Sequence, residues 1–310
     1  MVSKAERAQV GHVPANPRKL SRSEWLAVFK RSFSEFLSDD CMGLAQQIAF
    51  SSLLAFFPAV IFLVGLLELV DAYEPLRDFL APIAPGDVLE TIDTLQEDSS
   101  GSASVLAFFI GAAGATWAAS GAMGSVIKAV NRAYERVETR PFWKTRIIAI
   151  VLVVLTGITT AGLLLLIVFG GPLGNAIAAQ AGLGGAFDLV WTILRWPIAF
   201  VAILLFFAIV YYLAPNADVR DWRWLTPGSF VAAVGWLALS GLFALYTSFS
   251  DSYSKTYGAL ASGIVLLLWL NYSAFAMLFG AELNSELDRE AEIHAAGGPD
   301  AGLVKPSRRS

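Results

Sequence analysis

Three kinds of residue are scarce in this chain of 310 residues: charged residues, histidine and cysteine. Charged residues make up 15% of the sequence and hydrophobic residues 56%, whereas an ordinary soluble domain is about 25% charged. Because so few charges could not cover the surface of a soluble fold, the composition excludes an ordinary soluble enzyme. The only histidines, His12 and His294, lie in polar segments near the chain ends, which argues against histidine metal sites or Ser–His–Asp catalysis in the apolar body. The single cysteine, Cys41, excludes an intramolecular disulfide framework.

Long apolar segments are what the sequence does contain. A helix of about 20 apolar residues crosses a hydrocarbon core of about 30 Å, and six segments reach that length. They are Gly43–Val70, Ser104–Ile127, Ile147–Gly170, Leu189–Leu213, Gly228–Phe249 and Ala259–Gly280. The pattern predicts an all-α polytopic membrane protein with six transmembrane helices.

Lysine and arginine are unevenly distributed between these segments. The N-terminal segment holds seven, the second connection six, the fourth two and the C-terminal tail four, whereas the first, third and fifth connections together hold two. Because basic residues concentrate in cytoplasmic connections, both termini are predicted to be cytoplasmic, with the protein in the inner membrane. The predicted organisation is a cytoplasmic segment 1–42, a transmembrane domain 43–280 with an external loop 71–101, and a partly disordered cytoplasmic tail 281–310.

Two segments outside the spans have helical periodicity. The capping box Ser21-x-x-Glu24 precedes apolar residues at helical spacing from Trp25 onward, which predicts an amphipathic helix on the inner surface of the membrane. The external loop 71–101 combines eight acidic residues with apolar residues at helical spacing. We expect two short amphipathic helices there, covering the external mouth.

The second apolar segment is built from small residues. They recur every four residues in two sets, Gly111/Ala115/Ala119 and Gly114/Ala118/Ala122. Small residues at this spacing let helix backbones approach closely. We therefore expect this helix to be central in the bundle and closely packed.

Polar residues at the inner ends of several spans form the candidate site. Ionisable and polar groups inside a membrane are costly, so each is a candidate functional position. The set consists of Gln46, Gln47, Ser51, Ser120, Lys128, Asn131, Arg132, Arg140, Tyr212 and Glu282. Together these residues predict a substrate-binding cavity open to the cytoplasm, and ordinary helix ends and aromatic belts are the structural alternative.

Four further residues have separate interpretations. Pro58 is expected to break the hydrogen-bond ladder of the first span, kinking or opening the helix. Arg195, Lys255 and Tyr257 are outer-side candidates, and Arg195 either extends to the outer surface or meets a substrate headgroup or a buried acid. We expect no catalytic residue, no metal site and no cofactor.

Motifs across most of the chain resemble the YihY/BrkB family of bacterial inner-membrane proteins. The resemblance extends from about Phe33 to Glu286. The motifs that carry it include Ala45–Pro58, Trp117–Gly121, Asn131–Tyr134, Arg140–Trp143, Tyr211–Asn216, Pro227–Gly228, Tyr253–Gly258, Leu266–Leu270 and Gly280–Asn284. It implies six helices with cytoplasmic termini. The family has been called ribonuclease BN and a virulence factor, and it is connected with transport of envelope lipids or lipopolysaccharide precursors.

Two functions of different kinds are compatible with these features. The first is a permease-like protein that moves a lipid or lipid-linked envelope amphiphile, with Gln47, Lys128, Arg132 and Arg140 meeting an anionic headgroup and Arg195 receiving it outside. The alternative is a non-catalytic envelope scaffold that acts through its external helices. The expected partners are anionic membrane lipids, a second copy or an envelope protein, and no nucleic acid. The cytoplasmic acidic pairs do not combine with histidines, so we interpret the chain as neither a nuclease nor another enzyme.

Overall fold

The structure is a computed structural model that describes residues 21–69, 103–168, 185–216, 225–248 and 259–295. These ranges contain seven α-helices and no β-strand. The helices are α1 (Arg22–Ser38), α2 (Cys41–Leu69), α3 (Ala103–Ala133), α4 (Phe142–Val168), α5 (Gly185–Leu213), α6 (Pro227–Ser248) and α7 (Ala259–Ala295). An all-helical architecture is thereby confirmed for these parts of the chain.

Within these described ranges, five helices, α2, α4, α5, α6 and α7, are long and apolar enough to cross a membrane. The predicted second span, Ser104–Ile127, lies in α3, a helix of 31 residues. At 1.5 Å per residue α3 is about 46 Å long, which is enough to cross a hydrocarbon core. It is not among the helices of the described residues that are also apolar enough, so the sixth span stays a prediction. The external loop 71–101 falls outside the described residues, so its two short helices stay a prediction. Pro58 lies within α2, which is α-helical on both sides of it.

The six long helices form a closed ring in sequence order. Each of α2 to α6 packs against the next helix, and α7 closes the ring by packing along both α6 and α2 while also contacting α3. The buried core lies towards one end of this ring, with members such as Ala45, Ile127, Leu152, Val210 and Leu278. We call this the basic end, because the end of α3 and its connection to α4 carry their lysines and arginines there. It is also the end at which α2, α4 and α6 begin.

Close backbone approach occurs between α6 and α7. A Cβ atom added at Gly280 would lie 2.5 Å from the carbonyl oxygen of Gly228 and 2.8 Å from Cβ of Ala232. Beside this contact, Asn284 Oδ1 accepts a hydrogen bond from the Gly228 N–H at 2.9 Å, and its Nδ2 donates to Thr226 Oγ1 at 3.0 Å. Asn284 thereby satisfies a backbone donor at the start of α6 that has no partner within its own helix.

The small residues of α3 agree with the expectation in part. Gly111, Ala115 and Ala122 are buried, as close packing requires. A Cβ atom at Gly114 would meet no described atom within 4 Å, and the same holds at Gly121 and Gly124, which were in neither predicted set. The face of α3 that carries these three glycines therefore borders open space among the described residues.

The N-terminal helix begins at the predicted capping box. Ser21 Oγ accepts a hydrogen bond from the Glu24 N–H at 3.3 Å, and the Ser21 N–H donates to Glu24 Oε2 at 2.6 Å. One face of α1 is buried against α7, where Val28 packs with Leu283 and Leu287. The other face exposes large apolar side chains, Leu26, Phe29, Phe33 and Leu37. That this face contacts the membrane surface stays a prediction.

Removing the Glu286 carboxylate should loosen α1 from α7. Arg31 Nε donates to Glu286 Oε2 at 2.9 Å and its guanidinium also pairs with Glu290, while Arg289 Nη1 donates to Glu286 Oε1 at 3.0 Å. The Glu286 side chain is only 4% exposed, but Arg31 is partly solvated. We expect Glu286→Ala to destabilise the docked helix by about 1–2 kcal/mol.

Hydrogen exchange of the α1 amides in the detergent-solubilised full chain would measure that change, which corresponds to about tenfold faster exchange. Arg22→Ala is the control, because Arg22 is an exposed basic residue of the same helix. Unchanged exchange in Glu286→Ala would show that apolar packing alone holds α1.

Candidate functional site

An open cavity of about 580 Å³ lies at the basic end. It is bounded by the start of α2, the last turns of α3 and the connection from α3 to α4. Three acids and three basic residues line it: Asp39, Asp40 and Glu138, and Lys128, Arg132 and Arg136. Its formal charge is balanced, so what it can bind depends on which of these charges already have partners.

Each of the three acidic side chains lies beside an arginine or a helix N-terminus that stabilises its negative charge. Asp39 Oδ1 lies 3.2 Å from Arg132 Nη2. Asp40 precedes α2 in the left-handed conformation, with φ of 55°, and its carboxylate lies over Gly43 in the first turn, where helix N-termini favour negative charge. Glu138 accepts hydrogen bonds from Arg140 Nε at 2.8 Å and Nη2 at 2.6 Å.

The bonds from Arg140 also keep Glu138 ionised. They are the main reason that the pKa of Glu138 lies below its ordinary value, and a hydrogen bond from Asn131 Nδ2 at 2.9 Å adds to the effect. Lys128 and Arg136 are different: within the described parts of the chain, neither has an acid within ion-pair distance. The cavity therefore contains two basic side chains that form no ion pair with the acids around them.

Five of the predicted site residues meet at or beside this cavity. Lys128, Asn131 and Arg132 line it. Lys128 Nζ donates to Gln47 Oε1 at 3.5 Å, and the hydroxyl of Ser51 is 3.1 Å from that of Ser125, so α2 and α3 make polar contacts here.

The other five predicted residues lie elsewhere. Gln46 is exposed on α2, and Ser120 is buried and donates within its own helix to the Trp117 carbonyl at 3.0 Å. Glu282 is buried and accepts a hydrogen bond from Cys41 Sγ at 3.3 Å. Tyr212 is half-buried on α5. None of these four side chains, nor that of Arg140, is part of the cavity lining.

Arg140 lies outside the cavity lining and stabilises the connection that forms part of its wall. Its Nη2 donates to the carbonyl oxygen of Ala214 at 2.9 Å, just beyond the end of α5. Asn216 strengthens the same junction, since its N–H donates to Asn131 Oδ1 at 2.7 Å and its Nδ2 donates to the Val137 carbonyl at 2.7 Å. These bonds tie the connection between α3 and α4 to the end of α5.

Five polar residues of the cavity lining are not among the predicted site residues: Asp39, Asp40, Arg136, Glu138 and Thr145. By sequence, Arg136 is only one of the six basic residues of the second connection, yet it lines the cavity. Thr145 also lines it, and its Oγ1 is buried with no hydrogen-bond partner among the described atoms. The only sequence signal was the short spacing of Asn131, Glu138 and Arg140, whose mutual bonding folds the connection back over the end of α3.

Of the three outer-side candidates, Arg195 lies within the described residues. In α5, Arg195 Nε is buried without a hydrogen-bond partner from the described residues, and its guanidinium carbon lies 5.7 Å from the ring centre of Trp196. Lys255 and Tyr257 are outside the described residues. Where the structure is described, no group of three or more His, Cys, Asp or Glu side chains could hold a metal ion.

Known proteins resemble this chain along most of its length. The Bacillus subtilis (strain 168) protein named "Putative ribonuclease-like protein YfkH" is 29% identical over 273 residues, which are 86% of this chain and 98% of that protein. A UPF0761 membrane protein of Halorhodospira halophila is 26% identical over 278 residues, 83% of this chain and 57% of its own length.

A shorter match involves a UPF0761 membrane protein of Idiomarina loihiensis, which is 34% identical over 93 residues, 30% of this chain and 32% of that protein. The chain thus matches only about a third of the length of this relative. No solved structure matches. The family described as virulence factor BrkB matches residues 32–302, and with several long apolar helices in the same region, the chain is a membrane protein that belongs to the virulence factor BrkB family.

Proposed function

We propose that this protein is a permease-like inner-membrane protein with six spans that handles an amphiphile with an anionic headgroup, either a lipid or a lipid-linked envelope precursor. The observation that carries the proposal is the cavity at the basic end, in which Lys128 and Arg136 have no acidic partner among the described residues. The basic end faces the cytoplasm in this proposal, because cytoplasmic connections are rich in lysine and arginine.

An anionic headgroup would find both charge and hydrogen-bond donors in this cavity. Lys128 and Arg136 supply the charge, and hydrogen bonds between charged groups and phosphate oxygens are short and strong. In this arrangement Arg132 pairs with Asp39 and Arg140 pairs with Glu138, and these ion pairs stabilise the wall of the cavity. The headgroup contacts Lys128 and Arg136.

The apolar part of the amphiphile would follow the open face of α3. Gly124 belongs to the cavity lining, and Gly121 lies one turn further from the basic end, with Gly114 two further turns away. Added Cβ atoms at all three would meet open space. Trp117, on the same stretch, is 68% exposed, and the Arg146 guanidinium lies 4.0 Å from the centre of its ring. A bulky apolar tail can therefore lie beside α3 while its headgroup remains in the cavity.

Phosphate binding by itself would also suit RNA, and one relative has a ribonuclease-like name. That name describes the Bacillus protein. A lipid phosphate and an RNA phosphate share the same chemistry, so the test must present both.

The test is lipid exchange between leaflets by the full chain in liposomes of phosphatidylcholine and phosphatidylglycerol, followed with fluorescent versions of each lipid. Lys128→Glu with Arg136→Glu should slow exchange of the anionic lipid about tenfold or more, since a hydrogen bond to a charged group contributes about 1.5–3 kcal/mol. Arg22→Glu with Lys144→Glu changes the net charge equally at exposed positions outside the cavity lining and should have little effect.

Two results would contradict the proposal. One is wild-type protein that exchanges neither lipid and binds no anionic lipid. The other is a cavity variant that behaves like the wild type. Cleavage of a short RNA by the same preparation, abolished in the cavity variant, would instead favour the ribonuclease interpretation.

A further inference from the structure

A second cavity of about 310 Å³ lies on another part of the molecule, between α1, α6 and α7. Every residue that lines it is apolar. Aromatic rings from α1 and α7 form one wall: the Phe36 ring centre is 6.0 Å from that of Phe275 and 6.1 Å from that of Phe279, both in edge-to-face arrangements. We call this cavity the α1 groove.

The α1 groove extends along α6. Its α6 side is formed by Val231, Gly235 and Leu239, which recur every four residues and so extend along one helix face for about 12 Å. At its centre, a Cβ atom added to Gly235 would contact Cβ of Ala276 at 3.7 Å and no other atom of the described residues within 4 Å. The missing side chain of Gly235 is therefore what leaves this part of the groove open.

An apolar occupant suits such a groove. An extended polypeptide segment would bring N–H and C=O groups that the apolar walls cannot satisfy, at a cost of several kcal/mol for each unpaired group in a membrane, and only a helix avoids that cost. An extended hydrocarbon chain has no such groups. In the orientation proposed above, the α6 side of the groove leads from the basic end towards the middle of the membrane, as the chain of a lipid does.

A basic residue of α1 lies one turn from a residue of the groove lining. Lys30 is exposed on α1, one turn from Phe33, which lines the groove. Around them, α1 exposes the apolar side chains Leu26, Phe29 and Leu37. A cation beside an apolar face matches the order of groups in an anionic phospholipid, where a phosphate is followed by hydrocarbon.

We propose that the α1 groove binds one acyl chain of an anionic phospholipid, with the phosphate beside Lys30. This lipid is distinct from the amphiphile proposed for the basic-end cavity, which is formed by α2, α3 and the connection to α4. By filling the space between α1 and the α6–α7 pair, the acyl chain makes the position of α1 depend on anionic lipid.

The experiment uses the full chain in liposomes of phosphatidylcholine and phosphatidylglycerol, in which the phosphatidylglycerol carries a photoreactive group near the end of one acyl chain. Labelled peptides are identified by mass spectrometry. We expect label on the segments 231–239 and 275–279. Gly235→Leu fills the groove and should reduce this label about tenfold.

Three comparisons make the result specific. Gly241→Leu places the same side chain on α6 at a position bordered by open space, and it should keep the label. Gly235→Ala adds only an ordinary van der Waals contact and reports whether α6 tolerates substitution there. Lys30→Glu should remove the preference for phosphatidylglycerol over a phosphatidylcholine probe with the same reactive chain.

Equal labelling of the groove in Gly235→Leu and the wild type would overturn the proposal. So would an absence of lipid label together with crosslinks between Phe33→Cys copies, which would show that a second copy covers the groove. Labelled peptides in α6 and α7 are read independently of lipid exchange through the basic-end cavity, so failure of one proposal leaves the other standing.

Discussion

Gly280→Ala is expected to destabilise the helical bundle by about 3 kcal/mol or more, although it adds a single methyl group. Forcing extra atoms into a packed interior costs about 1–3 kcal/mol when side chains can adjust. At Gly280 the nearest obstacles include the backbone oxygen of Gly228, 2.5 Å from the new Cβ, and the hydroxyl of Tyr211. Backbone cannot move aside unless α6 moves, and Tyr211 is held by its hydrogen bond to the Met277 carbonyl at 2.6 Å.

Gly263→Ala is the matched control, because Gly263 lies in the same helix and its added Cβ would meet no described atom within 4 Å. Alanine there should be neutral or stabilising by about 0.5–1 kcal/mol through its greater helix propensity. Unfolding of the full chain by increasing SDS in mixed micelles would compare the two variants with the wild type. Similar transitions for both variants would mean that α6 and α7 separate without disturbing the rest of the bundle.

Arg140→Ala is expected to destabilise the protein by about 2–3 kcal/mol, whereas Arg132→Ala should cost less than about 1 kcal/mol. Both arginines pair with a carboxylate near the basic-end cavity, but the Arg140 side chain is 11% exposed and that of Arg132 is 55% exposed. Loss of Arg140 also leaves the carbonyl oxygen of Ala214 without its donor. The same unfolding measurement separates the two, and equal effects would contradict a supporting role for Arg140.

The Arg140 variant should also change how stability depends on pH. Because the folded state lowers the pKa of Glu138, this pair stabilises the protein above the ordinary glutamate pKa of about 4.3, and its contribution disappears as the pH falls through the lowered value. In Arg140→Ala the largest cause of that shift is absent. The acid-induced loss of stability should then be shallower than in the wild type.

Local patterns and long-range contacts differed in how well the sequence could predict them. The capping box of Ser21 and Glu24 and the helical nature of the apolar segments depend on neighbouring residues, and both are present. Lys128 and Arg132 were likewise predictable as cavity residues, because they are one turn apart on the same helix.

The remaining contacts depend on how distant segments meet. Arg136 lines the cavity only because the chain turns back after Glu135, a non-glycine residue with φ of 50°, and no glycine in the sequence marks that turn. Arg140 reaches Ala214, 74 residues later in the chain. The close backbone approach between Gly228 and Gly280 joins residues of two different helices, and no local periodicity marks that pair.

The closing of the ring by α7 bears on how the protein is made. Because the last helix packs against α2, the hydrogen bond from Cys41 to Glu282 joins residues 241 positions apart and forms only after nearly the whole chain has been synthesised. Until then, the start of α2 lacks its final neighbour, and the Cys41 thiol and the Glu282 carboxylate have yet to meet. The ring therefore cannot close before α7 is made, and a ribosome that stalls before α7 leaves it open.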